Sequence, residues 1–248
     1  MRCPRWSRAS AASPPNSVRL FLFDIDGTLV SVRGASRTAF ARALEETYGT
    51  AGTIERYDFR GRTDLSIVHE LMTGAGLDDE RIRARVDACF QAYARELTRI
   101  IGDGSRIQVL PGVAEVVRRL GARPDAVVGL LTGNIEAGAR IKLEPTGLWP
   151  FFRVGRLRRR RRRPAAPARN RARAGARPRS RVHVRSRHDH RRLPRWTSRA
   201  PAAASAVAVA VATGQYPVEE LAGHRPDVLF SNLADVERVV ARLADGAS

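Results

Sequence analysis

Asp24 and Asp26 stand one residue apart in Asp24-Ile25-Asp26-Gly27-Thr28, directly after the apolar run of residues 18–23. That spacing has a chemical use. At the end of a buried strand, Asp24 can attack phosphorus as a carboxylate nucleophile. Asp26, turned the other way, can protonate the leaving oxygen and later activate water. Two neighbouring carboxylates divide these roles because each charge raises the other's pKa unless a cation intervenes. Mg2+, a hard ion taking oxygen ligands, suits that place, with Asp24 and Asp26 as its protein ligands. The plainer reading of Asp-x-Asp-Gly-Thr is a strand running into a turn.

The elements that must hold such a pair are legible around it. Residues 18–23 read as a buried strand feeding a loop at Gly27 and Thr28. Apolar residues then recur at helical spacing over residues 36–48, 64–73 and 79–101, so residues 33–105 read as an inserted helical cap. Pro111-Gly112 opens a helix over residues 113–120. Residues 126–131 read as a second strand, and residues 135–146 as the helix after it. Further on, strands are expected over residues 206–212 and 228–230, with helices over 217–222 and 233–243. Alternating strands and helices imply a Rossmann-like α/β core with a mostly parallel sheet, formed by residues 18–32 and 106–248. Ligands in such sheets bind at the carboxyl ends of strands, where Asp24 and Thr132 both fall.

Phe-Asp-Ile-Asp-Gly-Thr-Leu, residues 23–29, resembles the first motif of the haloacid dehalogenase superfamily residue for residue. Leu130-Leu131-Thr132-Gly133-Asn134 is similar to its second motif. The resemblance implies that the Thr132 hydroxyl and the N–H groups around Gly133 and Asn134 hold a transferring phosphoryl group. Thr132 or Asn134 can equally be a helix N-cap, and both uses draw on the same donors. Gly61-Arg62-Thr63-Asp64 resembles the cap segment of phosphoglycolate phosphatase-like members. Arg62 there would clamp a substrate carboxylate or second phosphate, or be an ordinary surface arginine. The family also needs a third-motif cation. Lys142, the only lysine in the chain, is the candidate, against the reading of a surface helix lysine. The resemblance implies a Mg2+-dependent phosphatase acting on a small phosphorylated metabolite through an aspartyl-phosphate. A dehalogenase is disfavoured by Asp26, and a mutase would differ only in what attacks the aspartyl-phosphate.

The formal net charge of +19 would by itself point to a polyanion partner. Its location argues against nucleic acid. Residues 153–199 hold twenty arginines and one acidic residue, Asp189, so the rest of the chain is close to neutral. Residues 155–205, with six consecutive arginines from Arg158 to Arg163, show no buried strand by pattern and no fourth motif ending in Gly-Asp. A strand is lost where a parallel sheet needs one. We read this segment as translated out of frame in a GC-rich gene. In a shifted frame His190-Arg191-Arg192-Leu193 can read Ile-Gly-Asp-Ser, the missing fourth motif. The alternatives are a catalytically dead family member, with Asp189 the one acidic residue near the missing motif, or an Arg-rich polyanion- or nucleic-acid-binding protein. The latter would lose binding steeply with salt, yet only Trp196 interleaves the basic run as a stacking aromatic.

Cys3 and Cys89 form neither a disulfide framework nor a metal cluster, which suits a reducing cytoplasm. Residues 1–17 carry no apolar run long enough for a signal peptide or membrane span, and read as a disordered leader or as an early start codon. No feature of the sequence fixes an oligomeric state.

Overall fold

A computed structural model describes residues 18–152, 180–185, 206–214 and 216–245. Strands β1 (Arg19–Phe23) and β2 (Val30–Ser31) lead into three helices: α1 (Ala35–Tyr48), α2 (Asp64–Gly74) and α3 (Asp79–Ile101). The chain continues through β3 (Gln108–Val109), α4 (Val113–Gly121), β4 (Ala126–Leu130) and α5 (Glu136–Leu143). It closes with β5 (Ser180–Arg185), β6 (Ala206–Val211), α6 (Val218–Gly223), β7 (Val228–Phe230) and α7 (Val236–Asp245). The principal sheet runs β4-β1-β5-β6-β7 with every pairing parallel, and β2 and β3 form a small antiparallel pair. This is the Rossmann-like α/β core the alternating pattern implied.

Two apolar clusters form, and they divide at the cap. One gathers Phe21 and Phe23 of β1 with Val116, Val117 and Leu120 of α4, Val128 of β4, Val209 of β6 and Val239 of α7. The other gathers Phe40 and Leu44 of α1, Val68 and Met72 of α2, and Tyr93 and Leu97 of α3. Each fully buried side chain of this size contributes roughly 1.5–3 kcal/mol. In the cap, α2 starts on a reciprocal capping box between Thr63 and Ser66, and the Asp78 side chain caps α3.

Two expectations need correction. The pattern carried the helix after Asn134 as far as residue 146, whereas α5 ends at Leu143. Glu144 keeps helical backbone and donates to Arg140 O, but Pro145 has no N–H to continue the ladder. The arginine segment was expected to hold no strand, yet β5 sits between β1 and β6. A strand covered on both faces normally reads as a continuous apolar run. Ser-Arg-Val-His-Val-Arg does not. The rest of residues 155–205, including Asp189 and the residues placed in the shifted fourth motif, lies outside the described residues, as does the leader of residues 1–17.

Candidate active site

β1 and β4 lie side by side, and Leu131 N–H donates to Phe23 O (2.7 Å) just past their ends. That contact sets Asp24 and Thr132 at neighbouring strand ends. Beyond Asp24 the chain turns tightly: Leu29 N–H donates to Ile25 O (2.9 Å) and Gly27 N–H to Val30 O (2.9 Å). The Thr213 hydroxyl, just after β6, braces this turn by donating to Gly27 O (2.8 Å). Asp24 Oδ1 accepts from the N–H of Ile25 (2.9 Å).

Asp26, Asn134 and Lys142 form one network. Lys142 Nζ reaches both carboxylate oxygens of Asp26 (2.8 and 2.9 Å) and Asn134 Oδ1 (2.6 Å). Asn134 Nδ2 donates to Asp26 Oδ2 (2.8 Å) and to Thr132 Oγ1 (2.8 Å). The amide presents its acceptor to the ammonium and its donor to the carboxylate, the only orientation that satisfies both. Lys142 is 1% exposed, so the surface-lysine reading is overturned. Its place on α5 turns it inward beneath the loop of residues 132–134. Removing one partner of a buried pair strands the other charge, so the ion pair fixes this geometry.

Asp64, for which the sequence offered no role, joins the cap to this loop. Its N–H donates to Gly133 O (2.8 Å), and its Oδ2 accepts from Ile135 N–H (2.6 Å). Burial pushes its carboxyl up to about 7, against the pull of the Lys142 ammonium and the Ile135 N–H. Gly133 is required by the same approach: a Cβ there would lie 2.2 Å from Arg62 O. As the first helical residue after an N-cap, Asp64 reads in sequence as an acid favouring a helix dipole. Only the tertiary contact gives it a second use.

A cleft of about 400 Å³ opens between cap and core, with Asp26, Asn134, Lys142, Arg62 and Asp64 in its wall. Asp24, Thr132 and Gly133 are not part of that lining. Arg62 lies on the cap side of the cleft, with its charge balanced by Glu70 (2.7 Å). Among the described residues no group of three His, Cys, Asp or Glu side chains gathers as a metal cage. Mg2+, however, is commonly held by one or two carboxylates, with waters and substrate phosphate completing its octahedron. The hard oxygen donors of Asp24 fit that pattern, whereas both Asp26 oxygens, expected as ligands too, already accept from Lys142 Nζ. Among the described residues no helix is long and apolar enough to cross a membrane.

The fold is shared with solved structures of low sequence identity. A hydrolase from Pseudomonas syringae is 16% identical with a TM-score of 0.54, covering 94% of this chain and 100% of its own. A family IA, variant 3 HAD hydrolase from Entamoeba histolytica is 13% identical with a TM-score of 0.56, covering 91% and 98%. A predicted phosphoglycolate phosphatase from Haemophilus somnus is 15% identical with a TM-score of 0.50, covering 90% and 97%. No curated protein gives a significant match. The family model of the haloacid dehalogenase-like hydrolases matches residues 18–177, a span that takes in both strand-end motifs, the cap and Lys142. On that match, which covers well over half of its length, the chain belongs to the haloacid dehalogenase-like hydrolase family.

Proposed function

We propose that this hydrolase is a Mg2+-dependent phosphatase that cleaves a small phosphorylated metabolite through an aspartyl-phosphate on Asp24. The observation that carries the reading is the Asp26–Asn134–Lys142 network beside Asp24 at the ends of adjacent parallel strands. One similar structure is that of a predicted phosphoglycolate phosphatase, which accords with the reading.

Asp24 attacks phosphorus; its oxygen–phosphorus bond forms as the ester oxygen–phosphorus bond breaks. Asp26 gives the departing oxygen its proton, then takes one from the water that attacks the aspartyl-phosphate, releasing phosphate and restoring Asp24. Thr132, the N–H groups of the loop at Gly133 and Asn134, and the Lys142 ammonium hold the phosphoryl oxygens. Without substrate, Lys142 and Asn134 both point donors at Asp26, an arrangement that suits its carboxylate form. Substrate phosphate competes for those donors, which lets Asp26 take up the proton it must deliver. Asp24 would hold Mg2+, which would neutralise phosphoryl charge and orient the attack.

Phosphate release from p-nitrophenyl phosphate, with Mg2+ and after EDTA treatment, tests the reading. Turnover that needs Mg2+ supports it; turnover indifferent to EDTA refutes the metal dependence, and none at all refutes the phosphatase.

A further inference from the structure

The short helix α5 carries much of the site and rests on the cap. Asn134 lies just before it and Lys142 near its end, and these two residues hold Asp26. Ile135 and Ile141 pack against the apolar cluster of the cap. Between them, a Cβ on Gly138 would lie 3.2 Å from Cε1 of Tyr93 on α3. Residues three apart share one side of a helix, so that side of α5 is seated on the cap. A helix of eight residues is too short to be stable by itself, and what it packs against sets its position.

At the start of α5 the seat becomes polar. Ile135, at the N-cap position, has no side chain that can cap the helix, and the acceptor for its own N–H comes from the cap domain: Asp64 Oδ2, at 2.6 Å. The Asp64 N–H in turn donates to Gly133 O at 2.8 Å. Two bonds of opposite sense therefore tie down the residues on either side of Asn134. The Asp64 side chain is buried, so the bond to Ile135 does not compete with water. A second contact between cap and core lies elsewhere on the cleft wall, where the Arg60 guanidinium sits 5.0 Å from the centre of the Tyr216 ring. Arg60 is exposed, which places that contact among the weaker cation–π pairs, and it reaches no residue of the phosphate loop.

Resting on the phosphatase reading, we propose that Asp64 is a positioning residue for phosphoryl transfer. By bonding on both sides of Asn134, it makes the seated cap hold the loop of residues 132–134 where its donors meet the phosphoryl oxygens. The same hold keeps Asn134 and Lys142 aimed at Asp26. Asp64 acts through the loop and not on the reacting atoms. When the cap lifts, both of its bonds break in one event and the loop loses its register. Donors displaced by about 1 Å cost roughly a hundredfold in rate, so the loop is competent only with the cap seated.

The test compares the full chain with Asp64→Asn and Asp64→Ala, using p-nitrophenyl phosphate at about pH 7. Asparagine keeps an oxygen that can accept from Ile135 N–H, and alanine has none. Asp64→Ala should lower kcat about tenfold or more with a smaller change in KM, and Asp64→Asn should recover most of the loss. A merely structural aspartate would lower Tm in the alanine variant and leave kcat of the folded protein unchanged, and that result overturns the proposal. Hydrogen exchange on the wild-type chain needs no variant to fold. The Asp64 and Ile135 amides should show protection factors within about threefold of each other, because one opening frees both. Protection factors that differ about tenfold or more overturn the coupling of cap and loop. No turnover by the wild-type chain refutes the phosphatase reading; the exchange measurement uses no substrate and decides the coupling separately.

Discussion

Asp64→Asn probes the joint between cap and phosphate loop through its pH dependence. In the folded chain Asp64 is 5% exposed, and burial raises its carboxyl from an ordinary value of 3.8 to about 7. An acid whose folded pKa is raised keeps its proton longer in the native state than in the unfolded one. Stability is therefore greatest below the unfolded value, declines as pH rises through the window from 3.8 to about 7, and is lower by a constant amount above it. The difference between the two values corresponds to about 4 kcal/mol. Asparagine keeps an oxygen able to accept from Ile135 N–H but carries no charge. Its amide N–H2 must find an acceptor, and losing the attraction to Lys142 offsets part of the gain, so the net stabilisation at about pH 8 is about 2 kcal/mol. Urea denaturation of both proteins at a series of pH values between about 5 and 8 reads this directly, since the linkage acts on the midpoint. The curves should meet near the acid end and separate with rising pH, the variant lying above. A wild type that gains stability with pH across this window, or a variant less stable at its alkaline end, would refute the buried-carboxylate reasoning.

Gly133→Ala places a Cβ 2.2 Å from Arg62 O and 2.9 Å from Thr63 Cα. Because these are backbone atoms, a loss of about 1–3 kcal/mol is expected in thermal unfolding, together with reduced phosphate release; an unchanged Tm contradicts the close approach. Lys142→Met leaves Asp26 with its buried cation gone. Asp26 is 30% exposed, so the loss should fall below that of a fully buried pair, at about 2 kcal/mol in urea denaturation. A neutral or stabilising outcome would show that the pair does not hold the site. Sequencing the DNA across codons 150–210 should show a shifted frame encoding Gly-Asp near His190. An intact frame with no sensible alternative would make the arginine segment a real part of the chain and return polyanion binding to consideration.

Legibility in the sequence followed how far each residue's role is local. β1 and the Asp24–Thr28 turn are written in consecutive residues, an apolar run broken by acid and glycine, so strand and candidate chemistry were read together. α3 was read to the residue because its apolar spacing is sustained over 23 positions between Asp78 and Gly102. Lys142 was a candidate third-motif cation by resemblance alone, since solvent is the usual place for a lysine on a helix. What buries it is the packing of α5 under the loop at Asn134, a fact about topology. Tyr93 likewise reads as one more apolar-face residue of α3, and nothing in sequence shows that its hydroxyl ends at a cleft. β5 was missed because valines alternating with arginine and histidine give no sign of a central parallel strand.

The central claim is that Asp24 carries the phosphoryl group. Acid-quenched reaction with a phosphate ester labelled in its phosphorus, followed by peptide mapping, tests it most directly. The account predicts label on the peptide containing Asp24, discharged by hydroxylamine as an acyl phosphate and absent from Asp24→Asn. Turnover with label on another residue, or undiminished turnover in Asp24→Asn, would contradict it.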